Sequence, residues 1–319
     1  MFRLVLTITF LLISLRIEAA TFTILNSCAY TVWPGILSNA GVSPLTTTGF
    51  ALRNGESKTI TTPSGWGGRF WGRTLCSTNS STGLFTCQTA DCGSGSIACN
   101  SGATPPATLA EFTLDGSGGL DFFDVSLVDG YNLPMVVTPH SGPSGGPNCT
   151  VTGCFTDLNG ACPSDLRIAS LDSGSSSTVA CKSACDAFNS PQYCCSGAYG
   201  SPDTCKPSSY SMVFKKACPT AYSYAYDDKS STFTCGGSPD YTITFCASPA
   251  TSQKAASTTS EGQGQQSTVP DEIMNGSMIY EGALDDSSSP STCPNRLRSQ
   301  LIAGAIATLM AIWRVSQQM

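Results

Sequence analysis

Residues 83–99 read GLFTCQTADCGSGSIAC. Cys87, Cys92 and Cys99 fall inside this stretch, spaced by glycine, serine and threonine. A segment with so few apolar side chains cannot hold a shape through a core of its own, so crosslinks must do it. The same pattern spreads outward from here. Sixteen of the seventeen cysteines lie between Cys28 and Cys246, and the last, Cys293, stands alone near the C-terminus. A dense, even set of cysteines oxidises completely only outside the reducing cytosol.

The two ends agree with that address. Met1-Phe2-Arg3, the apolar run Leu4 to Leu15 and Glu18-Ala19-Ala20 read as a secretory signal peptide over 1–20, cut after Ala19 or Ala20. Near the other end, Leu301 to Trp313 is apolar. At about 1.5 Å per residue it reaches roughly 20 Å, short of the ~30 Å hydrocarbon core. Preceded by Ser287-Ser288-Ser289 and a polar spacer, residues 290–319 read as a glycosylphosphatidylinositol attachment signal, with Ser288 as the attachment residue. Attachment there would remove Cys293 with the tail. The polar end, Arg314 to Met319, keeps an unanchored tail and a marginal span open as alternatives. Residues 248–289 are rich in Ser, Thr, Gln and Gly and read as a stalk.

The folded unit is therefore expected over 20–247. It carries ten Lys plus Arg against fifteen Asp plus Glu. An acidic surface argues against nucleic acid and anionic membrane as partners, and suits cationic or neutral ligands, including sugars. His140 is the sole histidine and sits in a turn-rich stretch, TPHSGP, where a structural or solvated role is expected. No metal site and no cofactor are expected, since the cysteines are taken up by oxidation. A monomer is expected.

Strand signals dominate. Thr21–Leu25, Tyr30–Trp33, Ser57–Thr61, several segments in 108–137 and Tyr241–Phe245 alternate or are rich in β-branched and aromatic residues. Strands that occur early, in the middle and late predict a β-sandwich built from distant segments. Two cysteine-dense inserts interrupt it, at about 74–107 and 156–218. In the larger, 177–188 has helical spacing, with Val179, Cys181 and Cys185 as buried candidates.

The 83–99 block resembles the signature of the thaumatin-like, osmotin-type family of plants. GRFWGR at 68–73, LAEFTL at 109–114, DFFDVSLVDG at 121–130 and QYCC at 192–195 resemble further blocks of that family. The likeness spans 20–247 and neither the stalk nor the tail. It implies a mainly β fold, a sandwich with two disulfide-rich inserts, the larger containing short helices. Among roughly two million possible pairings of sixteen cysteines, it implies Cys28–Cys246, Cys76–Cys87, Cys92–Cys99, Cys149–Cys235, Cys154–Cys218, Cys162–Cys181, Cys185–Cys194 and Cys195–Cys205.

The resemblance also implies an acidic cleft marked by Arg69, Glu111, Asp124, Asp129 and Asp227, with Asp228 competing for the last place. The residues read the same way. Glu111 shares a strand face with Leu109 and Thr113, opposite Ala110, Phe112 and Leu114. Asp124 lies opposite Phe123, Val125 and Leu127, and Asp129-Gly130 signals a turn. Paired carboxylates can hydrolyse glycosides if one is kept protonated and the other charged. Glu111 is expected as the acid and Asp124 as its partner. The family implies β-1,3-glucan or another wall polysaccharide as ligand, in antifungal defence, with weak endo-β-1,3-glucanase activity or none. The alternatives are a non-catalytic cell-surface interaction protein or hydrolase inhibitor, and a scaffold in which Arg69 merely pairs with Glu111 or an aspartate. Trp66, Trp71, Tyr131 and Tyr199 are candidates for stacking on sugars, with Trp71 favoured as core. Asn79, Asn148 and Asn275 fit the N-glycosylation pattern.

Overall fold

The computed structural model describes residues 20–140, 145–171 and 177–248 of the 319-residue chain. Residues 1–19 and 249–319, which carry the expected signal peptide, most of the expected stalk and the expected attachment signal, with Asn275, Ser288 and Cys293, lie outside the described residues.

The strands in chain order are β1 (Thr21–Asn26), β2 (Trp33–Ser38), β3 (Ser57–Thr61), β4 (Gly67–Thr78), β5 (Phe85–Thr89), β6 (Leu109–Thr113) and β7 (Asp121–Ser126). They continue as β8 (Met135–His140), β9 (Thr152–Cys154), β10 (Arg167–Ala169), β11 (Thr178–Cys181), β12 (Phe233–Cys235) and β13 (Asp240–Phe245). Helices are short: α1 (Ala184–Phe188), α2 (Pro191–Cys194), α3 (Ser209–Ala217) and α4 (Asp228–Ser231). The protein is thus mainly β.

One sheet runs β3-β1-β13-β8-β9, the other β12-β7-β6-β4-β2, with β5 added along β4. Strand β1 pairs in parallel with β13, in register from Phe22↔Tyr241 to Asn26↔Phe245. The first and last strands therefore end side by side, and the Cys28–Cys246 disulfide closes just beyond them. Strand β2 starts three residues later than the sequence pattern suggests and runs through Pro34. Proline is tolerated because β2 lies last in its sheet order, where a missing N–H costs no central ladder bond.

The two sheets pack through aromatic rings. Phe22 of the first sheet lies 5.0 Å from Phe70 and 4.8 Å from Phe112 of the second. Tyr241 lies 5.1 Å from Phe112 and 5.3 Å from Phe123. Contacts of this kind add about 0.5–1.5 kcal/mol each beyond the area they bury. The buried Tyr241 hydroxyl donates to Asp121 Oδ2 at 2.8 Å, so the polar tip of this core ring is satisfied.

The remaining disulfides are Cys76–Cys87 and Cys92–Cys99 in the smaller insert, then Cys149–Cys235, Cys154–Cys218, Cys162–Cys181, Cys185–Cys194 and Cys195–Cys205. The helical reading of 177–188 is only half right. Residues 178–181 form β11, paired with β10, bridged to Tyr131 at Cys181 and crosslinked to Cys162. Helix α1 begins only after Ser183, whose side chain accepts from the Asp186 amide at 3.1 Å as an N-cap. Of the three residues expected inside, Cys181 is buried, while Val179 and Cys185 are half-buried.

Candidate functional site

Strands β4, β6 and β7 are neighbours, and their register aligns one row of side chains: Arg69 faces Glu111, and Glu111 faces Asp124. Directly opposed residues hold their Cβ atoms about 4.5–5.5 Å apart. Because strand side chains alternate, Phe70, Phe112 and Phe123 point into the core, and the charged row is left on the outer face. That face floors a cleft of about 750 Å³. Asp129, in the turn just before Gly130, also lines it, and Tyr222, Ala225 and Asp228 form the wall beyond β7.

The cleft works against ionisation of its carboxyl groups. Burial, then the neighbouring Glu111 and Asp228, push Asp124 up to about 8. Burial also raises Glu111, but Arg69 pulls it back down while Asp129 raises it. Asp129 is raised by burial and by Asp186 of α1, and lowered by Arg69. Both carboxyls are raised, and at Glu111 a neighbouring cation, Arg69, opposes the rise, while no cation does so at Asp124. The reason is the position of Arg69, beside Glu111 and one strand further from Asp124. Asp124 Oδ2 is buried and has no hydrogen-bond partner among the described residues. Arg69 makes no ion pair within 4 Å among the described residues, so it acts on the carboxylates through its field, not as a strand clamp.

The structure separates Asp227 from Asp228. Asp227 is bound to Lys215 of α3 at 2.9 Å, accepts from the Ser223 amide and hydroxyl, and accepts from Ser230 at 3.1 Å. Lys215 also donates to the Ala221 carbonyl and the Ser231 hydroxyl. Asp227 is the knot that ties residues 221–231 to α3, and it does not line the cleft. Asp228 does, with its Oδ1 accepting from Tyr222 at 2.9 Å.

The thaumatin family model matches residues 26–247. The chain belongs to the thaumatin family. A thaumatin-like protein 1 of Arabidopsis thaliana is 58% identical over 72% of this chain and 87% of its own length. A glucan endo-1,3-beta-glucosidase of Prunus avium is 53% identical over 72% of this chain and 91% of its own. A pathogenesis-related thaumatin-like protein 3.5 of Cryptomeria japonica is 53% identical over 74% of this chain and 93% of its own.

Within this thaumatin-family chain, three of the four aromatic candidates for sugar stacking are withdrawn into the core. Trp66, Trp71 and Tyr131 are fully buried. Each has its polar tip satisfied: Trp66 donates to Ser38, Trp71 to the Ala90 carbonyl and Tyr131 to the Thr156 carbonyl. Only Tyr199 is exposed. Asn79 and Asn148 are exposed, and the Asn79 side-chain Oδ1 accepts from the Ser81 and Thr82 amides in a tight turn. His140 closes β8 at the surface, 2.7 Å from the Thr242 hydroxyl and outside the cleft lining. Tyr222 was not foreseen as a site residue. Its only sequence signal is a place six residues before Asp228.

Proposed function

We propose that the cleft binds β-1,3-glucan outside the cell, in defence against fungi, with slow hydrolysis as a secondary activity. The observation that carries this reading is Asp124. Asp124 lines the open cleft beside Glu111, and its buried Oδ2 has no hydrogen-bond partner among the described residues, so its carboxyl group is free to turn to a sugar oxygen. In hydrolysis, Asp124 would protonate the leaving oxygen, and Glu111, kept charged by Arg69, would act as base or nucleophile. The Prunus avium and Cryptomeria japonica relatives support glucan and defence as the context. Eight disulfides support an oxidising, extracellular setting. A lipid tether at Ser288 and glycans at Asn79, Asn148 and Asn275 belong to the same proposal. Phospholipase release of the protein from cells tests the tether.

The test is laminarin and insoluble β-1,3-glucan presented to wild type, Asp124→Asn and Glu111→Gln. Retention on the glucan by wild type, weakened in both variants, is expected. Any release of reducing ends should vanish in both. Wild-type protein that neither binds nor cleaves would overturn the reading.

A further inference from the structure

The acidic row has a second depression on its far side. A hollow of about 540 Å³ shares Glu111 and Asp124 with the cleft and is otherwise lined by uncharged residues. The strand register explains how the two meet. On the outer face of β6 and β7, three cross-strand rungs follow one another: Leu109 with Ser126, Glu111 with Asp124, and Thr113 with Phe122. The first rung lies in the cleft, the third in the hollow, and the carboxyl rung belongs to both. The wall beyond β7 is continuous as well. The Tyr222 hydroxyl bonds to Asp228 on the cleft side and to Thr232 on the hollow side.

We infer that the two depressions are arms of one groove, and that the uncharged arm takes further neutral pyranose units of the same polysaccharide, with Phe122 as the stacking surface. This rests on the glucan reading above. Carboxyl groups that act on a bond within a chain must have sugar on both sides of that bond, and the rung order supplies a place for each. Phe122 is half-buried, packed beside Gly116, and shares the outward face of β7 with Asp124. An aromatic face suits the C–H side of a pyranose ring, while Asn39, Thr113 and Thr232 offer hydrogen bonds to hydroxyls. The backbone places Asn39: its amide donates to the Gly67 carbonyl at 2.9 Å, and a Cβ at Gly67 would run into the Asn39 side chain. No charge other than Glu111 and Asp124 lines this arm, so beyond the carboxyl rung a ligand meets only uncharged groups.

The experiment is calorimetric titration of the whole protein with linear β-1,3-gluco-oligosaccharides of two to six units. Wild-type affinity should climb with each unit until both arms are filled. Phe122→Ala should flatten that climb, with roughly tenfold weaker binding of the six-unit ligand. Phe122→Tyr should restore it. Asn39→Ala, at an exposed position, gives a smaller loss without risk to folding, and thermal melting checks every variant. Equal six-unit affinity in wild type and in folded Phe122→Ala and Asn39→Ala would overturn the second arm alone. No binding of any length by wild type would overturn the glucan reading and the second arm together.

Discussion

Glu111 and Asp124 face each other across adjacent antiparallel strands, so the sheet itself forces two carboxyl groups into one cleft. Like acids opposed in this way destabilise the fold when both are charged. Burial first, and then this repulsion, push Asp124 up to about 8. The folded state then holds a proton that the unfolded chain gives up at the ordinary aspartate value. Stability is full below that ordinary value, declines as pH rises towards 8, and levels off above it. Asp124→Asn should therefore stabilise the protein at about pH 8 by roughly 1–3 kcal/mol, since each pKa unit is worth at most ~1.4 kcal/mol and the open cleft screens part of it. The gain should shrink to nothing near about pH 4. Melting curves at the two pH values check this, and a variant equally stable with wild type at both would remove the case for a strained Asp124.

Asp227 and Asp228 are neighbours with opposite expected consequences. Asp227 and Lys215 form a mostly buried pair, with side chains 11% and 19% exposed. Breaking one partner of such a pair costs about 3–5 kcal/mol. Asp227→Ala should lose stability on that scale and loosen the cleft wall, so glucan binding falls as a consequence. Asp228→Asn should leave the melting temperature within a degree or two and change binding directly. Denaturation together with pull-down on both variants separates the roles.

The cleft floor could be read from the chain because strand periodicity is local. Glu111 between Ala110 and Phe112, and Asp124 between Phe123 and Val125, are polar residues at alternate positions, which a two-residue repeat alone sends outward. What could not be read depends on partners far away in sequence. Nothing in Asp227-Asp228 says which acid meets Lys215, because that depends on how α3 packs. Residues 177–188 mix a strand, an N-cap and a helix within twelve positions, and the strand is imposed by β10, Tyr131 and Cys162. Trp66 and Tyr131 are large enough to stack on sugars, but each is buried and found a hydrogen-bond acceptor within the fold instead.

Arg73 is the plainest case of a residue whose role only the fold reveals. It is fully buried with no carboxylate within 4 Å among the described residues, and donates to the carbonyls of Trp33, Pro34 and Ile97. Burial lowers it to about 10, against the raising influence of Asp91. It joins the edge strand β2 to the smaller insert. Arg73→Met should keep the volume but remove these three donated bonds, at roughly 3 kcal/mol in all. The expected signature is an earlier unfolding transition with unchanged glucan binding, read by denaturant titration and pull-down. A loss of binding without a loss of stability would contradict a purely structural role.

The disulfides should differ in worth by the loops they close. Cys28–Cys246 spans 218 residues and Cys92–Cys99 spans 7. Chain entropy assigns the first roughly 5 kcal/mol and the second roughly 2 kcal/mol. The long link also lies just beyond the only parallel pairing in the main sheets among the described residues, β1 with β13, which no short turn can hold in place. Replacing Cys28 and Cys246 together by serine should lower the melting temperature well below that of the Cys92, Cys99 double variant. It should also expose the first and last strands to proteolysis before the cleft is lost. Limited proteolysis with mass mapping checks the order of events. Equal melting temperatures for the two double variants would show that local packing, and not loop closure, sets the value of these crosslinks.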